Sequence, residues 1–140
     1  MYLLDTNVLS ELRPGKPQAD TRVREWAATV PQSQFFLSAI TVLEHEIGIV
    51  KLERRHPPEG GAMRAWWEAA RTAFAGRVLP FSMKEAMLCA PLHVPDKKSF
   101  RDSMIAATAL SHGFTVVTRN VGDFEAVVGI KLYNPWDYAA

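Results

Sequence analysis

Met1-Tyr2-Leu3-Leu4-Asp5-Thr6-Asn7 opens the chain, and its reading decides the fold. The apolar run Met1 to Leu4 suits a buried strand; it leads into one carboxylate, and Thr6-Asn7 turns the chain towards a helical pattern at Val8 and Leu9. In an open α/β sheet, ligands bind beyond the carboxyl ends of the strands, where the connections diverge to opposite faces. Asp5 stands at such a position. It also makes a good helix N-cap, because a carboxylate there satisfies orphan N–H groups of the first turn. Asp5 alone supports either role. The recurrence of acidic residues at comparable places downstream favours a site.

A length of 140 residues allows one domain, 1–140, with a real core. Apolar residues make up 48% and charged residues 22%, which excludes a disordered or membrane-embedded class. No apolar run reaches the length of a bilayer span. The amino terminus lacks the pattern of a signal peptide, so a cytoplasmic protein with no membrane partner is expected. Cys89 is the single cysteine, which rules out an internal disulfide and a cysteine-based zinc site. The net charge of +1 gives no global pull on nucleic acid, so an anionic partner must be held locally. The local candidates are Lys51 to His56, Lys97-Lys98 with Arg101, and Arg119.

Further along, Val23, Trp26, Ala27 and Val30 fall on one face of a helix that begins near Asp20 and closes at Pro31. Phe35-Phe36-Leu37 reads as the second strand. Thr41-Val42-Leu43-Glu44 has the form of a capping box, which predicts a helix from Thr41 to about Arg54 with Glu44 reaching back to the Thr41 N–H. Pro57-Pro58-Glu59-Gly60-Gly61 reads as a loop inside a helical hairpin. The next helix, from Ala62 to Ala75, turns Trp66, Ala70, Ala73 and Phe74 to one face, which leaves Trp67 either at the rim or surface as a subunit or partner contact, or packed in the core. Val78 to Phe81 gives a short third strand, and Ser82 caps a helix whose methionines fill core.

Ser99-Phe100-Arg101-Asp102 again has a capping form, ahead of an apolar helix that ends at Gly113. Thr115 to Thr118 is β-branched throughout and suits a strand buried on both faces. Asn120 and Asp123 make a fourth cap-like pair, Lys131 to Tyr133 a last strand, and Asn134-Pro135-Trp136 pins the tail. Strands alternate with helices, so the fold class is α/β, a three-layer sandwich around a mainly parallel sheet.

Asp5, Glu44, Asp102 and Asp123 each follow a strand or open a helix beside one, and several can converge on one sheet edge. Gathered carboxylates repel one another and call for a cation. All-oxygen ligation suits Mg²⁺, with Mn²⁺ as a substitute, and the matching chemistry is phosphodiester hydrolysis by an activated water.

Five pieces in order carry a family resemblance: Leu4-Asp5-Thr6-Asn7, Ser38 to Glu44, Asp102 to Ala109, Thr118 to Phe124, and Asn134-Pro135-Trp136. In these the chain resembles the PIN-domain family, and within it the VapC-type ribonuclease toxins of bacterial toxin-antitoxin operons. The resemblance implies a five-stranded parallel sheet, a homodimer, an RNA substrate and a cognate antitoxin that blocks the acidic cleft and alone contacts operator DNA. It implies that Asp5, Glu44, Asp102 and Asp123 form the metal site, with Thr6, Asn7, Thr118 and Asn120 supporting them by hydrogen bonds. From the residues themselves, Arg119, Arg101 and Lys98 are candidates to position RNA. Two alternatives stand beside this reading. One is an inactive PIN-like binding module whose carboxylates only cap helices. The other is a Mg²⁺-dependent aspartyl-phosphate phosphatase, which needs a second Asp where this chain has Asn7.

Overall fold

The computed structural model describes residues 1–140. Its five strands are β1 (Tyr2–Leu4), β2 (Phe35–Ser38), β3 (Val78–Leu79), β4 (Thr115–Val117) and β5 (Lys131–Tyr133). They form one all-parallel sheet in the order β3-β2-β1-β4-β5. Central β1 pairs Leu3 with Val116 and Leu4 with Val117. Because side chains alternate along a strand, this register sends one pair to each face. Leu4 and Val117 join Val8, Val23, Trp26, Ile49 and Trp67 on one side; Leu3 and Val116 join Ile105, Ala106, Ala109 and Phe124 on the other.

The helices are α1 (Thr6–Glu11), α2 (Thr21–Ala28), α3 (Ala39–Arg55), α4 (Pro57–Ala73), α5 (Met83–Cys89) and α6 (Phe100–His112). The α3–α4 connection corrects the loop expected at residues 57–61. Only His56 lies between the two helices, and the Pro-Pro-Glu-Gly-Gly stretch forms the first turns of α4. Proline is tolerated in a first helical turn because its missing N–H would have no partner there. Gly60 is required by proximity: a Cβ at that position would lie 2.5 Å from the Glu53 Cα. Trp67 faces inward, fully buried, with its Nε1 donating to Glu46 Oε1 at 2.8 Å, so of the placements its sequence allows the core one is found. Conversely, Met83 and Met87 are exposed on α5 and fill no core.

Helix α3 starts before Thr41. Ser38 is its N-cap, accepting from the Thr41 N–H at 3.0 Å, and Glu44 stands in the second turn with no capping role. The Asn120 side chain likewise makes no cap bond, and Val121–Asp123 is a 3₁₀ turn. Ser99 does cap α6, and Gly113 closes it with φ of 68°, a conformation that glycine adopts freely. Asn134 accepts from the Trp136 N–H, and Trp136 is buried, so the tail is pinned as its sequence implies. No helix is long and apolar enough to cross a membrane.

Glu85 staples α5 to α6. Its carboxylate accepts from the Ser111 hydroxyl at 2.6 Å and from the Ser82 hydroxyl and N–H at 2.6 and 2.9 Å. These bonds, that of Ser111 foremost, hold its pKa down at about 2, against an ordinary 4.5. A carboxylate depressed on folding contributes stability in full above its unfolded pKa and loses it as pH falls through the folded one. Urea midpoints should therefore fall between pH 4.5 and about 2. Glu85→Gln should be less stable at neutral pH and show a shallower acid slope; an unchanged slope contradicts this assignment.

Candidate active site

Asp5 follows β1 at the carboxyl edge of the sheet and is completely buried. One carboxylate oxygen accepts from the Thr6 N–H at 2.7 Å, which makes Asp5 the N-cap of α1. The other accepts from the Thr118 hydroxyl at 2.8 Å and, at 3.5 Å, from the Asn7 amide. Capping and site-building thus coexist in one side chain. Thr118 follows β4, the neighbour of β1, and its hydroxyl also receives the Asn120 backbone N–H at 3.0 Å. Asn7 Oδ1 in turn accepts from the Arg119 N–H at 3.3 Å, which ties the loop after β4 to α1.

Glu44 reaches the same place from α3. Its Oε1 accepts from the Thr6 hydroxyl at 2.6 Å. Asp102 arrives from the first turn of α6, where the positive end of the helix dipole favours an anion. One guanidinium joins all three. Arg101 donates through Nη2 to Asp5 Oδ1, through Nε to Glu44 Oε2 at 2.6 Å, and through Nη1 to Asp102 Oδ1 at 2.8 Å. Burial works against its charge, but the bonds to Glu44, Asp5 and Asp102 outweigh that and hold its pKa above the ordinary arginine value.

Of the expected acidic four, the structure therefore links Asp5, Glu44 and Asp102. Asp123 sits exposed in the 3₁₀ turn, with no side-chain hydrogen bond or counter-ion. Thr6, Asn7 and Thr118 support the carboxylates through side chains; Asn120 does so through its backbone alone. Arg101, expected to position RNA, is turned into the acidic cluster and pairs with its three carboxylates. Arg119 is exposed at the rim, its guanidinium 5.1 Å from the centre of the Trp136 ring. The Lys98 side chain makes no contact with the carboxylates; its backbone N–H approaches His93 Nδ1 at 3.5 Å.

The histidines take no part in the cluster. His45 is buried and stacked on Trp67 at 4.8 Å, with Nε2 unpartnered, and burial pushes its pKa down. No set of three ligating side chains stands ready around a common point, since a guanidinium occupies the centre of the cluster. The donor chemistry nevertheless fits a hard divalent cation. Carboxylate oxygens arrive from three separate elements, backed by threonine hydroxyls, with no sulfur or imidazole among them.

Comparison with known proteins places this geometry. The model of the PIN domain matches residues 2–129. The chain belongs to the PIN-domain family. Among PIN relatives, the VapC ribonuclease Y4jK of Sinorhizobium fredii is 37% identical over an alignment covering 99% of this chain and 100% of that protein. Among solved structures, FitAB bound to an IR36 DNA fragment contains a chain that superposes with a TM-score of 0.87 at 34% identity, over 100% of this chain and 99% of that one. A toxin-antitoxin complex from Klebsiella pneumoniae gives a TM-score of 0.67 at 25% identity, over 96% and 98%. The PIN fold with its five parallel strands is thus as expected, and it sets the phosphatase alternative aside.

Proposed function

We propose that this PIN protein is an endoribonuclease that uses Mg²⁺ or Mn²⁺ and serves as the toxin of a toxin-antitoxin pair. The observation that carries the reading is the convergence of Asp5, Glu44 and Asp102 on one guanidinium at the carboxyl edge of the sheet. A related chain of matching length is named a ribonuclease, which favours catalysis over a binding module whose carboxylates only cap helices.

In this reading Asp5, Glu44 and Asp102 hold the cation, and the exposed Asp123 is the fourth acidic candidate. A divalent cation there supplies Lewis-acid polarisation of a phosphoryl oxygen and makes water more acidic. The protein's contribution is orientation. The Thr6 hydroxyl fixes Glu44, while the Thr6 N–H and the Thr118 hydroxyl fix opposite oxygens of Asp5, so neither carboxylate has to search for its position. Asp5 is fully buried, which limits water competition on its side of the site. Arg119, exposed beside the Asn7–Thr118 link, is positioned to meet an RNA phosphate, and single-stranded segments are the accessible targets.

The partner is a cognate antitoxin, with operator DNA engaged only through it. A groove of about 500 Å³ lined by Leu9, Leu12, Ala27, Trp66, Ala70 and Phe74 offers an apolar seat for a segment of that partner. The protein is also read as a homodimer working in the cytoplasm, where RNA is met. Leu43, Ile47 and Val50 form an exposed apolar stripe on α3, and Met83 and Met87 form another on α5; both helices pack against α6. Ile47→Glu should yield a monomer by light scattering, and a dimer that survives it would place the interface elsewhere.

The test of the catalytic reading is cleavage of a mixed RNA pool by antitoxin-free protein. Cuts at restricted positions should appear with Mg²⁺ or Mn²⁺ and vanish with chelator. Cutting that persists in chelator contradicts cation dependence, and intact RNA from folded protein in either cation contradicts the nuclease.

A further inference from the structure

Arg101 is the one cation already placed against Asp5, Glu44 and Asp102. It uses three of its nitrogens on three carboxylates, one just after β1, one on α3 and one in the first turn of α6. No backbone carbonyl shares this guanidinium, and its side chain remains about a third exposed, at 31%. The arginine is therefore held by the cluster and open to water on one flank. Arg64, also tied to several carboxylates, differs in location: its partners Glu46, Glu53 and Glu68 lie on α3 and α4, away from the sheet edge.

The three carboxylates that the proposed function gives to a divalent cation are the three that Arg101 engages, through one oxygen of each. One oxygen lone pair cannot serve an N–H donor and a metal ion together. The three carboxylates carry −3; Arg101 reduces this to −2, and a divalent cation in its place reduces it to −1, so the exchange improves the compensation. Asp5 is fully buried, and removing the arginine without replacement would leave that carboxylate poorly compensated. We propose that Arg101 is a built-in, exchangeable counter-ion: it neutralises Asp5, Glu44 and Asp102 in the cation-free protein and withdraws from them when the divalent cation binds. It thereby stabilises the metal-free fold and sets the cation concentration at which the site loads. This inference rests on the carboxylate-site reading above.

The device has a signature that an ordinary structural ion pair lacks, because stability and cation affinity move in opposite directions. The experiment compares wild type, Arg101→Gln, Arg101→Lys and Asp5→Asn, each titrated with Mn²⁺ by calorimetry and melted in chelator and in excess Mn²⁺. Arg101→Gln should melt several degrees lower than wild type in chelator, bind Mn²⁺ at least about tenfold more tightly, and recover the difference in excess Mn²⁺. Arg101→Lys keeps a charge but loses the fork that reaches three carboxylates, so it should fall between the two. It also carries the test if the glutamine variant fails to fold without cation. Mn²⁺ affinity in Arg101→Gln and Arg101→Lys that equals or falls below that of wild type overturns the exchange, provided wild-type binding is lost in Asp5→Asn. Wild-type binding that Asp5→Asn leaves unchanged, or its absence from all four proteins, overturns the carboxylate-site reading itself.

Discussion

Asp5→Asn should lower RNA cleavage by at least about a hundredfold, a loss near 2.7 kcal/mol of barrier stabilisation, while the protein stays folded. The substitution conserves shape and hydrogen bonding. An amide oxygen can still accept from the Thr6 N–H, and the amide nitrogen can donate to the Thr118 hydroxyl oxygen, so the two short links have a replacement and only the 3.5 Å contact from the Asn7 amide is lost. What disappears is the negative charge at the centre of the sheet edge. Arg101 keeps Glu44 and Asp102 as partners, so its guanidinium is not stranded. A melting temperature within a few degrees of wild type, together with lost cleavage, assigns the effect to chemistry. Cleavage within severalfold of wild type would remove Asp5 from the catalytic machinery.

Trp67→Ala should be the most damaging of the core changes, costing about 3–5 kcal/mol against a total that for a domain is typically about 5–15 kcal/mol. The indole is completely buried between α4 and α3, stacked on His45 at 4.8 Å and tied to Glu46 at 2.8 Å. Truncation opens a cavity beside an imidazole whose Nε2 already lacks a partner. Water entering there would relieve the burial that depresses the His45 pKa, so the variant should lose less stability than wild type as pH drops below 6.5. Trp67→Phe keeps most of the packing and deletes only the N–H donor, so it should cost about 1–2 kcal/mol, with Glu46 still held by Arg64. Urea unfolding of the three proteins checks this order. An alanine variant no less stable than the phenylalanine one would show that the cavity is not what matters.

The sheet was legible because its central strands declare themselves locally. Leu3-Leu4 and Val116-Val117 are buried on both faces, and continuous apolar or β-branched runs are what such strands require. The α3–α4 hairpin was less legible for a physical reason. Proline and glycine report local backbone freedom, whereas Gly60 answers to a distance from Glu53 that only the packed hairpin creates. Periodicity does not fix Trp67, because each helical residue turns the side chain by about 100° and a stripe drawn through Trp66 leaves its neighbour at the edge of the face. The same geometry governs Glu44. Capping by Ser38 starts α3 two residues before Thr41, and the carboxylate then faces Thr6 and Arg101 instead of the helix terminus.

The site itself was half written in the sequence. Asp5 and Asp102 show as carboxylates at a strand end and a helix start, and those boundaries are local signals. The inward turn of Arg101 is not local. It depends on the start of α6 and on acidic partners 57 and 96 residues away in the chain. Charge alone suggests an RNA contact at Arg101; what only the fold adds is three carboxylates within reach of its guanidinium.

The most direct measurement is anomalous diffraction from crystals of the antitoxin-free protein grown with Mn²⁺. A Mn²⁺ peak should lie in contact with the carboxylates of Asp5, Glu44 and Asp102, with the Arg101 guanidinium displaced from their oxygens. A Mn²⁺ peak away from all three, or no peak in crystals of protein that cleaves RNA in the same buffer, would contradict the carboxylate cation site.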